Sequence, residues 1–566
     1  MIDYQAVAAP PRQPPVWANI SAAGLEHTEL RVRPRAGTRG LAVVEEPPTT
    51  PARAKRSAAN RAAVVSAGRA CWGVFLLSLA GLLLTANGHH TGQDQEYNFR
   101  TARALLLERS FAIEPLNAAN EAGMVGPDGR FYAHYAPGLP LLMAPVILVG
   151  RGLEGVTEGI RSRYIWDARD EADKASRFLV SYLNAPVTAA TAALLALLVL
   201  RLGYPTPAAV FTALAYAFAT FAWGQARVVF ADPLQGLLIL LGVVLLLGAS
   251  PSRAALGGTA LALAVLVKLT TLLVLPWVLL LPDARGRPLW RTPLMVCLVL
   301  GPSLAALALH ALFNLFRFGN PFNTGYLARG SGGGESADAG SASRVLGVGF
   351  IRSPITGLYG LLFSIGRGIV WYAPPILAAA WAFQSFARER RQVAVAIGAA
   401  CLSWLLVHGF WVGWHGGWGW GPRYLLPVLP LALVALAHCW IDRRARLAAL
   451  GMVLVGVLVQ LPGALVDFWL VGRDARAIYL ARCVNCNDTS FFAFQFFLPE
   501  ASDFTLHTNR LLSGNLDLAW ITFAGTWVTP VTIGLVLFLA VTGWRLLLTN
   551  AIRAAMLARA TKGAAS

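Results

Sequence analysis

From Ala70 almost to Ser566 the chain repeats one pattern: an apolar run of about 20 residues, then a short polar connector. Runs of that length cross the roughly 30 Å of bilayer hydrocarbon as helices, and we count roughly 11 to 13 of them. The predicted fold class is therefore all-α, a polytopic transmembrane helical bundle. The first 69 residues depart from the pattern, with PPRQPP, EEPPTTP and PARAKR and no apolar periodicity. They read as a disordered basic tail. The first span, Ala70 to Thr85, has no small-residue cleavage site close behind it and reads as an uncleaved anchor with a cytoplasmic N-terminus.

One apolar segment admits two readings, because Leu256 to Leu281 is interrupted at Lys268, Thr270 and Thr271. It is either one tilted helix or two half-helices that turn there. A single crossing leaves Arg201 and Arg253 outside, against the tendency of basic residues to stay in the cytoplasm. Two segments put both inside and Asp232 outside, and this is the favoured reading. It requires the short run Leu139 to Val149 to be re-entrant, or the loop Arg151 to Arg177 to be external. In the first external loop, Asn87 to Ala136, FRTARALLLERSF has the amphipathic pattern of a helix lying at the interface.

Composition agrees with a lipid environment, at 56% hydrophobic and only 13% charged. The net charge of +18 would suggest nucleic acid in a soluble chain. Here the basic residues cluster between spans, as in ARGRPLWR, ARERR and DRRAR, where they mark cytoplasmic connectors and imply no nucleic-acid partner. The segments Phe316 to Ser353, Gly413 to Arg423 and Val471 to Leu518 are then external. The division follows as 1–69 tail, 70–440 catalytic core and 441–566 C-terminal helices with the external loop 471–518. Of six cysteines, Cys71, Cys297, Cys401 and Cys439 lie in or beside apolar runs as packing residues. Cys483 and Cys486 in CVNC are open to a local bridge, two free thiols or half a metal site.

Chemistry concentrates in the external segments. Asp94 and Glu96 stand just past the first span, where a carboxylate stays ionised cheaply, and His134 and Tyr135 follow in YAHYAPGLP. FGNPFNTGY leads into a Gly/Ser-rich stretch that reads as a flap or a linker. Arg367 interrupts the apolar run GLYGLLFSIGRGIVWYAPP and is either a phosphate ligand or a snorkelling side chain. HGFWVGWHGGWGWGPRYLLP gathers His408, His415, four tryptophans and Arg423, either as an interfacial belt or as a sugar-stacking surface.

In this order the motifs resemble the integral-membrane glycosyltransferases of superfamily C, in the polyprenyl-phosphate-sugar-dependent branch that includes protein mannosyltransferases and lipid A aminoarabinose transferases. The features are the acidic first loop (Asp94, Glu96), PGLPLLMAP, RVVFADP at Arg227 to Pro233, LAVLVKLTTLLVLP around Lys268, and GPRYLLPVLP. They span Ala70 to about Trp440. The resemblance implies a polyprenyl-phosphate sugar donor, a glycan, lipid or protein acceptor, and an active site on the external face of the plasma membrane. It also implies a carboxylate base, Asp94 or Glu96, and cations for the leaving lipid phosphate from among Arg367, Lys268 and Arg423. The family's acidic motif often reads Asp-Glu directly, whereas Gln95 separates the two here and leaves the choice of base open. Some members bind a divalent metal, for which Asp94, Glu96, His134, Asp232 and His415 are residues of the right type. Val471 to Leu518 matches no acceptor domain. The rival readings are a transporter or lipid flippase, for which repeated halves are expected and none is seen, and a non-enzymatic assembly subunit, which leaves Asp94 and Glu96 without a role.

Overall fold

A computed structural model describes residues 51–116, 122–156, 173–325, 343–345, 348–350, 354–483, 486 and 488–563. Most of the expected disordered tail, the Gly/Ser-rich flap or linker and the middle of the Arg151 to Arg177 loop lie outside these residues. Among them, six helices are long and apolar enough to cross a membrane, and a bent pair, Arg423–Ala432 with Val434–Trp440, makes a seventh. Four shorter apolar helices accompany them. The chain is a multi-pass helical membrane protein, as the hydropathy pattern predicts.

The first helix, α1, is Pro51–Leu84. It starts well before Ala70, so residues 51–69, expected in the disordered tail, are helical. RAKRSAANRAA is rich in the strongest helix formers and continues the span's helix outward. After it come α2 (Gln93–Glu108), a short antiparallel hairpin of β1 (Gly123–Val125) and β2 (Phe131–Ala133), and α3 (Gly138–Gly152). The hairpin was not foreseen in a reading with helices alone. The bundle interior follows as α4 (Lys174–Ser181), α5 (Asn184–Arg201), α6 (Thr206–Phe218), α7 (Ala231–Leu246) and α8 (Pro251–Val267). Along α5, Ala185, Ala189, Ala192 and Ala196 form a fully buried stripe of small side chains. Small residues let helix backbones approach closely, which drives association where lipid offers no hydrophobic gain.

Beyond Val267 the helix stops at Lys268, whose backbone is extended, and the chain turns back through Leu269–Leu273 and Leu275–Val278. Its return is fixed by Gly248 N–H, which donates to Pro282 O at 2.8 Å, and by a bridge between Ala249 and Asp283. Residues 249 and 283 therefore lie at one end of the bundle and Lys268 at the other, the two-segment reading. Gly138 at the start of α3 abuts Leu266 and Val267 beside this turn, and a Cβ there would lie 2.8 Å from Val267. Gly150, near the end of α3, meets Ser176 at the start of α4. Both ends of α3 thus lie at the Lys268 end, so Leu139 to Val149 does not cross.

The outer helices are α9 (Pro293–Phe318), α10 (Pro375–Glu389), α11 (Arg391–Phe410) and α12 (Arg443–Leu465), then α13 (Phe468–Leu480), α14 (Asp488–Phe497), α15 (Asp503–Leu512) and α16 (Val528–Gly563). α9 is inverted relative to a soluble helix. It turns Ser303, His310, Asn314 and Arg317 inward and leaves Leu304, Leu309, Leu312 and Phe316 exposed. Cys483 and Cys486, between α13 and α14, form a disulfide, which selects the bridge among the three readings of CVNC. Arg201, Arg253 and Arg390 cap backbone carbonyls of residues 202 and 244–248 at the end away from Lys268.

Candidate functional site

The site begins with the phase of α2. Gln93 opens the helix, so Asp94 and Glu96 both fall in its first turn, where the helix dipole favours negative charge. Two residues apart on a helix is about 200°, so the side chains leave on nearly opposite faces. Asp94 keeps 30% of its side chain exposed and Glu96 only 3%. The sequence reading placed the pair beside the membrane exit rather than on a helix face. The helix sends one to an open cluster and the other into the core.

Asp94 Oδ1 accepts a hydrogen bond from the Tyr135 hydroxyl at 2.7 Å, and Oδ2 accepts one from Arg423 Nη1 at 3.1 Å. His134 packs against Tyr135 with ring centroids 4.4 Å apart and the rings tilted by 50°. Burial works against the charge on Asp94. Arg423, the Tyr135 hydroxyl, His134 and Lys268 outweigh it and hold the carboxyl below the usual carboxylate range. Arg423 is 11% exposed and lies over the Phe230 ring at 4.2 Å. Gly416, with φ of 77°, packs under its side chain in a left-handed conformation that glycine adopts without strain.

The turn after α8 supplies the next pair. Lys268 Nζ donates to Asp232 Oδ1 at 2.6 Å and lies 4.8 Å from the Tyr424 ring centre, next to Arg423. Lys268 is 28% exposed and Asp232 is buried. Gln235, one turn beyond Asp232 on α7, donates to Thr270 Oγ1 and Thr271 Oγ1 at 3.0 and 2.9 Å and pins the turn. Asp94, Tyr135, His134, Asp232, Lys268 and Arg423, from five separated motifs, thus gather at one end of the bundle. Tyr424, Gln235 and Phe230 also belong here. Tyr424 lay beside Arg423 in GPRYLLP as the legible signal, and the other two had none.

Glu96 does different work. Its carboxylate accepts from Arg177 Nη2 at 2.8 Å and Arg100 Nε at 3.1 Å, and lies 3.1 Å from His90 Nδ1. Burial opposes its charge, but His90 and Arg177 hold the carboxyl well below the usual range. The pair with Arg177 ties α2 to α4. Arg367 is also spent on structure. It is 1% exposed, pairs with Asp503 of α15, and donates to His415 O at 3.0 Å and Gly417 O at 2.6 Å. His415 stacks on Phe492 with centroids 4.2 Å apart. Arg367 and His415 thus join a second, buried cluster that fastens the Gly-rich loop to α14 and α15. Arg227 of RVVFADP donates to Thr85 O and Val466 O, both at 2.8 Å, and pairs with Asp517 at 2.9 Å.

The metal donors named from the sequence do not meet as a three-ligand group among the described residues. The group that does is His89, Asp467 and Asp517.

No family model matches the chain, and no curated protein matches it. Among solved structures it is similar to ArnT from Cupriavidus metallidurans bound to undecaprenyl phosphate, at 14% identity over 84% of this chain and 76% of that one, with a TM-score of 0.44. The oligosaccharyltransferase of Archaeoglobus fulgidus in the apo form is similar at 12% identity over 81% of this chain and 63% of that one, with a TM-score of 0.40.

Proposed function

We propose that this protein transfers a sugar from a polyprenyl-phosphate donor to a hydroxyl-bearing acceptor at the Asp94 end of the bundle, on the external face of the plasma membrane. The observation that carries the reading is the open Asp94 carboxylate held between a hydroxyl donor and a guanidinium, with the Lys268 ammonium alongside. Placement outside the cytoplasm rests on the basic residues gathered at the opposite end.

In this reading the acceptor oxygen forms a bond to the anomeric carbon as the bond from that carbon to the phosphate oxygen breaks, with inversion. Asp94 takes the acceptor's proton, and Arg423 and Lys268 take the charge on the departing lipid phosphate. Asp232 holds Lys268 in place and Tyr135 holds Asp94. A carboxylate paired with a guanidinium is a weak base. A donor phosphate that draws Arg423 toward itself loosens that pair and strengthens the base, so basicity rises only when donor is bound. Glu96 and Arg367, spent on buried pairs, anchor the elements that carry the site.

The test is sugar transfer from a panel of radiolabelled polyprenyl-phosphate sugars by the purified protein in lipid. Turnover by wild type, lost in Asp94→Asn with donor binding retained, is the expected outcome. No turnover and no donor binding across the panel would sink the reading and move the weight to a transporter, to be followed by a flux assay.

A further inference from the structure

Away from the Asp94 cluster, three segments distant in sequence converge on one buried point. His89 lies in the exit from α1, Asp467 caps the start of α13, and Asp517 precedes α16. All three are buried, at 4%, 7% and 3% exposure, and one donor atom from each lies within 4.8 Å of the others.

The hydrogen bonds around them orient these donors inward. His89 Nδ1 lies 3.2 Å from the His90 carbonyl oxygen, which fixes the ring's direction. His89 Nε2 then faces Asp517 Oδ1 at 2.7 Å. This imidazole–carboxylate contact puts two donor atoms of metal-ligand type side by side, and a cation bound by both would take the place of the proton they share. The other Asp517 oxygen takes Arg227 Nη2 at 2.9 Å, and Asp467 Oδ1 takes the Trp469 amide at 2.9 Å. Each ligand therefore has an outer partner fixing its direction, as metal ligands ordinarily do.

A second observation is independent of these three residues. Thr91 is 1% exposed, and its hydroxyl oxygen has no hydrogen-bond partner among the described residues. It lines a small cavity of about 10 Å³ together with Asp467, Asp517 and Arg227. That volume holds about one water-sized species. A larger cavity of about 410 Å³, lined by His89, Asp467, Asp517 and Arg510, adjoins the point and gives an ion a path inward.

We propose that His89, Asp467 and Asp517 hold a divalent cation of the zinc or manganese class, with the Thr91 hydroxyl or a water completing the shell. One imidazole with two carboxylates suits those ions better than magnesium or calcium, which take oxygen alone. Ligands about 2.0–2.2 Å from a common ion lie at most about 4.4 Å apart, so closing the group around an ion takes side-chain adjustments of under about an ångström. The ion clamps the segment leading into α2 to the bases of α13 and α16. It is a structural site and takes no part in the transfer proposed above.

The experiment uses the full chain in lipid nanodiscs with any affinity tag removed. Protein stripped with chelator is re-equilibrated with zinc or manganese, and bound metal is counted by mass spectrometry beside a thermal melt. The expected result is about one ion per chain for wild type and for Asp94→Asn, and almost none for Asp467→Asn. Chelation lowers the wild-type melting temperature, metal restores it, and Asp467→Asn responds to neither. No bound metal and no thermal response in wild type, or equal metal in Asp467→Asn, would overturn the proposal. If Asp467→Asn does not fold, X-ray absorption on the metal-loaded wild type decides. Imidazole nitrogen with carboxylate oxygen in the shell supports the site, and a shell without imidazole rejects it.

Discussion

The two faces of the first turn of α2 hold carboxylates two residues apart in opposite conditions. On one face Asp94 is partly open, with one neutral and one cationic donor and a second cation nearby. On the other Glu96 is closed in by two guanidiniums and an imidazole. Both are held ionised, so charge state does not separate them; access does. A reactive base must meet a substrate, and an anchor must not be left without its partners. The Arg423 and Arg367 pair repeats the contrast, one facing the Asp94 cluster and the other fully spent against Asp503 and two carbonyls.

Substitution should split this comparison cleanly. Asp94→Asn removes the proton acceptor and should lower transfer by about 10²–10⁴-fold, with the melting temperature and donor binding unchanged, read by initial rates beside a thermal melt. Glu96→Gln should do the reverse. It strands the buried Arg177 charge, at a cost of about 3–5 kcal/mol of stability, while the fraction still folded turns over near the wild-type rate. A stable Glu96→Gln protein that has lost turnover would exchange the roles of the two carboxylates.

Arg423→Gln should reduce transfer by about 10²–10³-fold and also move the pH profile. The Asp94 pKa is depressed, so the base is ionised above that value and activity is lost as pH falls through it. Removing Arg423 raises the pKa, and the acidic limb should shift upward. Arg367→Gln should destabilise the protein and leave that limb where it is. The smallest effect is expected for Tyr135→Phe, which removes one hydrogen bond to a charged group and should cost about tenfold in rate, with a slight upward drift of the same limb.

Much of the convergence at Asp94 was legible in the chain. Lys268 interrupts an apolar run, and an ammonium at the end of an apolar helix needs a partner, which Asp232 supplies. The turn itself could be read because one crossing would have stranded Arg201 and Arg253 on the wrong side. The fate of Glu96 was not legible, because it depends on where α2 begins, and a shift of one residue rotates every side chain by about 100°. Arg367 misled for another reason. Its partner Asp503 is 136 positions away, and nothing local distinguishes an arginine that awaits a phosphate from one already satisfied. The β-hairpin in the first loop was hidden because strands of three residues carry almost no periodic signal.

The helices that present the site are short. α6, α7 and α8 have 13, 16 and 17 residues, against 26 for the peripheral α9. At about 1.5 Å per residue the inner three are only about 20 to 25 Å long, less than the hydrocarbon they stand in. The surrounding bilayer must thin around this centre or leave a funnel above it. With the bilayer left thick around them, Asp232 and Lys268 would lie below the level of the surrounding headgroups. In the proposed reaction a phosphate on a long isoprenoid tail would reach that depth by sinking with its chain still in lipid, whereas an acceptor would have to come down from water. Membrane thickness would then become a control on that reaction, with thicker lipid deepening the funnel that an acceptor must enter.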